Sequence, residues 1–233
     1  DWEKPSLTGQ CLLFRDVVSK EPDKYLELIN DAVKDERVLL DYPLAGMQGL
    51  MDAGRMNDAM HVLEDILDVI HNDVNSTERG FSLHSLLFAL NDIAKSGKVP
   101  EIVFDFFCNA LLNAKEPEED RHKDDKDVQN VGFNQSRGNA GYMLVECSQE
   151  TKYADRIFRT IESIAETASV YTRAAVLLNL AVLNTLDKNR NVQLFKKLMH
   201  DYDPRLMALP VHNYNPLVYF INYAVDDLMD FYI

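Results

Sequence analysis

Residues 173–186 read RAAVLLNLAVLNTL, and this stretch decides the architecture. Only Asn179, Asn184 and Thr185 interrupt the apolar run that follows Arg173. A helix apolar on every side has to be covered on every side. Residues 83–94 and 38–51 have the same character in a milder form. The segments between them are apolar on one face only. Ala59, Val62, Leu63, Ile66, Leu67 and Ile70 follow the helical i, i+3, i+4, i+7 rule, as do Val103, Phe106, Phe107, Ala110, Leu111 and Ala114. Ala154, Ile157, Phe158, Ile161, Ala165 and Ala168 make a third stripe, and Val192, Phe195, Leu198, Met199 and Tyr202 a fourth. An early one runs Tyr25, Leu28, Ile29, Ala32, Val33. Fully covered helices alternating with half-covered ones are what stacked helical hairpins produce.

The pattern predicts helix pairs at 7–19 with 23–35, 38–53 with 57–72, 79–95 with 101–114, 137–148 with 152–168, and 171–186 with 190–202. A last helix is expected from about 216 onward. The joints carry stop and start chemistry at Gly54, Gly97 with Pro100, Thr151, and Asp187 with Asn189. Pro22 and Pro204 stand at element edges, where a missing N–H is harmless. Hairpin starts fall about 31 to 58 residues apart, the range of helical-hairpin repeats. The expected fold is all-α: a right-handed α-solenoid of about five antiparallel hairpins forming one domain over residues 1–233. Residues 115–135 stand outside the period and include EPEEDRHKDDKD. They read as an exposed acidic insertion between the third and fourth hairpins, either a solvated loop or a recognition loop.

Two hairpins resemble HEAT repeats. SRGNAGYMLVEC (Ser136 to Cys147) and YTRAAVLLNLAVL (Tyr171 to Leu183) each set an Arg, Arg137 or Arg173, at a helix start. Small residues and then an aliphatic run follow: Gly138, Ala140 and Gly141 in one, Ala174 and Ala175 in the other. Small residues let successive hairpins approach closely, and the Arg can reach carbonyls or acids of the preceding repeat. MDAGRMNDAM (Met51 to Met60) is similar to the joint of tetratricopeptide-type repeats. NQSRGNA (Asn134 to Ala140) looks like the C-terminal helical-repeat arms of large bacterial signal-transducing (STAND-type) NTPases. That resemblance implies a ligand-sensing arm whose nucleotide-binding core lies outside this chain. HEAT-like DNA glycosylases form a further relative of the pattern, but they need a cationic concave surface.

Charge speaks against nucleic acid. With 24 basic against 38 acidic residues the chain carries −14 and repels a polyanion on average. The densest basic runs, Lys188, Arg190 and Lys196-Lys197, are too sparse for a groove. The same charge disfavours an anionic membrane surface, and no apolar run reaches the length of a membrane span. Cys11, Cys108 and Cys147 are far apart amid apolar neighbours and read as buried free thiols of a reducing compartment, so a cytoplasmic location is expected. The chain opens on Asp1 rather than Met, which predicts a piece of a longer parent.

Each catalytic motif demands a fixed geometry. Gly97-Lys98 has no upstream glycine turn for phosphate, and GxGxxG, GxSxG, HExxH and CxxC are missing. His61, Asp65 and Asp68 share a helix face but coincide with the polar side opposite the 59–70 stripe, so no metal site is assigned. His84 is expected to make one buried hydrogen bond rather than act as a base. Catalytic residues, cofactor and metal are therefore all expected to be none. The expected role is a non-catalytic scaffold for a protein or peptide partner, or for the remainder of a larger parent chain. The candidate binding surface comprises Arg137, Arg173, Tyr219 and Tyr223. For the two arginines the alternatives are bonds across repeats or a grip on an acidic partner. For the C-terminal aromatics they are packing on the last hairpin or docking on another segment or copy.

Overall fold

Ser6 opens the first helix as its residue type dictates: its Oγ accepts from the Gly9 amide at 3.1 Å, satisfying one of the free N–H groups of a helix start. From there the computed structural model describes residues 6–70, 83–116, 127–207 and 209. All regular structure among the described residues is helical, and no strand occurs there. None of the described helices is long and apolar enough to cross a membrane. The chain divides into two compact units, Asp1–Ala89 and Leu90–Ile233, where the sequence pattern predicts one domain.

The first unit holds α1 (Leu7–Lys20), α2 (Pro22–Lys34), α3 (Asp41–Asp52), α4 (Met56–Ile70) and α5 (Leu83–Ala89). Helix α3 is its centre, packing on α1, α2, α4 and α5. Its burial follows from DYPLAGMQGLMD: Pro43 to Met47, Gly49 and Leu50 are all buried. Two glycines set the distance to its neighbours. A Cβ on Gly46 would stand 2.7 Å from Ile29 of α2, and one on Gly49 would stand 2.7 Å from the Arg15 carbonyl of α1. Arg15 then ties the same two helices through a paired contact with Asp52, Nε to Oδ2 at 2.6 Å and Nη2 to Oδ1 at 3.0 Å. Gly54 turns the chain between α3 and α4 at φ +74°, with nothing near the place of a Cβ. It is there for backbone freedom alone.

The second unit holds α6 (Asn91–Ala94), α7 (Glu101–Asn113), α8 (Val128–Phe133), α9 (Ser136–Glu146), α10 (Ala154–Ile164), α11 (Val170–Leu177), α12 (Asn184–Leu198) and α13 (Pro204–Met207). Every residue of α11 is buried, as an all-round apolar helix requires. Helices α8 and α9 pack on it, α9 also packs on α7, and α10 packs on α7 and α12. The seam between α8, α9 and α11 is made of backbone. A Cβ on Gly132 would lie 1.9 Å from the Tyr171 carbonyl oxygen, and one on Gly138 would lie 2.2 Å from the Gly132 carbonyl oxygen. Gly141 adds a third close approach, 2.6 Å to Val176.

The second unit departs from the predicted pattern within residues 171–186 and within residues 115–135. The long helix expected over 171–186 ends at Leu177; a short 3₁₀ turn, Leu180–Leu183, follows Asn179. Asn191 fixes that break by donating from Nδ2 to the Leu180 carbonyl at 2.9 Å and to Asn184 Oδ1 at 3.0 Å. Asp187 is extended (φ −156°, ψ 100°) and caps the next turn by accepting from the Arg190 amide at 3.0 Å. The insertion expected to be exposed over 115–135 contains helix α8, with Val128 and Gly132 buried. Asp127 nucleates it by accepting from the Asn130 amide at 2.9 Å. The helix expected after 216 lies outside the described residues.

Gly132→Ala is expected to lower the unfolding free energy by about 1–3 kcal/mol, because the added methyl meets a carbonyl rather than a movable side chain. Gly54→Ala should cost about 1–2 kcal/mol through its left-handed backbone alone, and Gly54→Asn less. Urea denaturation of the three variants checks the contrast.

Candidate functional site

Helix α1 carries Leu7, Thr8, Cys11, Leu12 and Arg15 at helical spacing, and α3 faces it with Asp41, Leu44, Ala45 and Gln48. Between them, with Ser85 of α5, lies a cavity of about 220 Å³. Leu44 and Ala45 are buried and form its floor, while Leu7, Thr8 and Leu12 are exposed and form its rim. Just behind α1, the Tyr42 hydroxyl donates to Gln10 Oε1, holding the two helices in register.

Three ionisable groups line this cavity: Arg15, which pairs with Asp52, and Asp41 and Cys11. Asp41 stands at the first position of α3, and its Oδ2 is buried with no hydrogen-bond partner. Burial pushes its carboxyl above the usual carboxylate range. Cys11 is half-buried, and burial, followed by the charge of Asp41, pushes its thiol up. A thiol held protonated is a poor nucleophile and a poor metal ligand. Chemically the arrangement is a small apolar chamber with one under-partnered acid, suited to recognition.

Arg137 reaches the carbonyl of Leu111 from Nε at 2.8 Å and pairs with Glu116 at 2.8 Å. This is the reach to the preceding hairpin that its position predicts. Arg173 turns the other way. Only 4% exposed, it donates from Nη1 to the Leu198 carbonyl at 2.8 Å and grips Asp201 with both Nη atoms, at 2.8 and 2.6 Å. Both guanidinium groups have internal partners, and Arg173 is closed off from a surface ligand. Tyr219 and Tyr223 lie outside the described residues.

Glu116 is the residue that sequence reasoning missed. Placed in the acidic insertion, it accepts from the Ser169 amide (3.1 Å), the Ser169 hydroxyl (2.6 Å) and the Thr172 hydroxyl (2.7 Å), besides pairing with Arg137. A carboxylate at the start of α11 also faces the positive end of that helix. The local signal was Ser169, which caps α11 by accepting from the Thr172 amide at 3.3 Å.

His61 is exposed and meets Glu64, at 3.3 Å. Among the described residues no group of three or more His, Cys, Asp or Glu side chains could hold a metal ion. In His84 the Nδ1 is buried without a partner, the ring lies against Phe88, and burial holds its pKa down. Compared with protein-family models, curated proteins and solved structures, the chain matches none.

Hydrogen bonds from Arg173 hold the Asp201 carboxyl down at about 2, against about 3.9 in an unfolded chain. A carboxylate with a depressed value stabilises the fold above its unfolded pKa and loses that contribution as pH falls through the folded one. Asp201→Asn should therefore melt below the wild type at pH 7, with the gap closing between about pH 4 and about pH 2. Thermal melts across that range measure it.

Proposed function

We propose that this chain is a non-catalytic helical-repeat scaffold that binds a protein or peptide partner through the first unit. One observation carries the reading. Helix α1 has the sequence LTGQCLLFRDVVSK, yet Val18 is its single buried residue. Leu12 and Leu13 are 60% and 63% exposed, with Leu7 and Val17 also open. A surface helix normally turns its apolar face inward, and a contiguous exposed apolar face marks an interaction surface.

The packing order supports the solenoid and HEAT- or tetratricopeptide-like part of this proposal. In the first unit α1 packs on α3 and α2 on α4; in the second α9 packs on α11 and α10 on α12. Helices two apart in sequence meeting side by side is the order that stacked hairpins require. Net charge −14 favours a basic partner, supports the exclusion of nucleic acid and weighs against a glycosylase. The reading as a sensing arm of a bacterial NTPase rests on NQSRGNA, whose Arg137, Gly138 and Asn139 have local structural work here: Asn139 Nδ2 donates to the Phe133 carbonyl at 3.0 Å.

A peptide library displayed against the immobilised protein should enrich binders. The double variant Leu12→Asp, Leu13→Asp should weaken them at least about tenfold, a loss of about 1.4 kcal/mol. Both positions are exposed, so its circular dichroism should match the wild type. No enrichment, or equal binding to both proteins, would overturn the reading.

A further inference from the structure

We infer that the cavity between α1 and α3 is a subsite for a primary ammonium on an unbranched alkyl chain, the side chain of a lysine in the bound peptide. The inference deepens the proposed function and rests on it only for the source of the lysine.

The argument starts from what the cavity can hold. At about 220 Å³ it lies below the roughly 300–1,000 Å³ of sites for drug-sized ligands, so one side chain fills it. Its floor and rim, Leu44, Ala45, Leu7 and Leu12, offer methyl groups to a methylene chain. The polar demand is set by Asp41, whose Oδ2 is buried and unpartnered. That oxygen is closed to water as it stands, so an entering donor recovers the cost of the unmatched acceptor by drawing the carboxylate toward it. The χ2 torsion of Asp is broad, so either carboxylate oxygen can turn toward the chamber.

Charge decides the identity of that donor. Arg15, the one cation lining the cavity among the described residues, is engaged by Asp52 through both Nε and Nη2, which leaves the Asp41 acid for an incoming cation. A guanidinium is planar and broad, whereas an ammonium is a compact charge on a flexible apolar stem. The stem matches the leucine walls and the head matches one carboxylate. The chain's −14 charge steers such a partner toward the surface.

Cys11, on the cavity wall and half-buried, supplies a built-in reporter. With the full chain, n-pentylammonium at millimolar concentration should slow alkylation of Cys11 by iodoacetamide at least about threefold, read by mass spectrometry of the Cys11 peptide. It should also shift the methyl NMR resonances of Leu44 and Ala45. n-Pentanol, equal in length but uncharged, should do neither, and Asp41→Asn should abolish both responses to the ammonium. Equal effects from n-pentanol, or full responses in Asp41→Asn, would overturn the inference, as would the absence of any methyl shift in the wild type. The peptide arm separates the two proposals. In an enriched peptide, replacing the lysine by norleucine should cost at least tenfold in affinity. Binding that needs Leu12 and Leu13 but ignores both that replacement and Asp41→Asn sinks the lysine subsite and leaves the scaffold reading standing. Pentylammonium protection without any enriched peptide does the reverse.

Discussion

Contact between main chains, with no side chain interposed, is the constraint on which the second unit depends. The Tyr171 carbonyl lies where Gly132 would carry a Cβ, and the Gly132 carbonyl lies where Gly138 would. Three helices meet at one line, and α11 can be buried on all sides because two of its neighbours come this close. Large side chains would fill the same space with more apolar area, but they would hold the helices at the usual 8–10 Å separation. The first unit solves its own version of the problem with Gly46 and Gly49 of α3. There the close approach is to the Arg15 carbonyl and to Ile29, and it brings Arg15 within reach of Asp52.

Once the backbones are this near, charged side chains at helix ends find partners inside the protein. Glu116 gathers Arg137, Ser169 and Thr172; Arg173 closes on Leu198 and Asp201. Arg190 lies over the Phe158 ring and is held by Glu162 and Asp155, whose hydrogen bonds raise its already high pKa further. A bidentate contact fixes orientation as well as distance, so these arginines define how the last helices are set against the earlier ones. Electrostatics in the second unit is thus largely structural. In the first unit, among the described residues, Asp41 has a buried carboxylate oxygen without such a match, and it is next to the helix whose apolar side chains remain exposed.

The helical stripes were legible because periodicity records which side of a helix faces a core. The 59–70 and 103–114 stripes are buried almost throughout. Exceptions fall where a helix has too little above it: Leu28 of the early stripe is exposed, as is Tyr202, which sits beyond the end of α12 with φ at 51°. The joints at Gly54 and Gly97 were legible for a different reason, since both have positive φ and glycine tolerates it. Helix α8 was not legible. Six residues between charged and polar flanks offer too few turns for a period to show.

From the sequence alone came the all-helical class, the stripes and most of the chain reversals, because each is dictated by residues close together along the chain. Partner choice was settled only by folding. Arg137 and Arg173 occupy like positions in like segments, yet one turns to a carbonyl and an acid preceding it and the other to a carbonyl and an acid that follow. Nor does any local pattern tell that Glu116 is a clamp while Asp41 is unmatched. A side chain's length and charge state what it can bond; which groups come within 3 Å of it depends on how helices far apart in sequence are brought together.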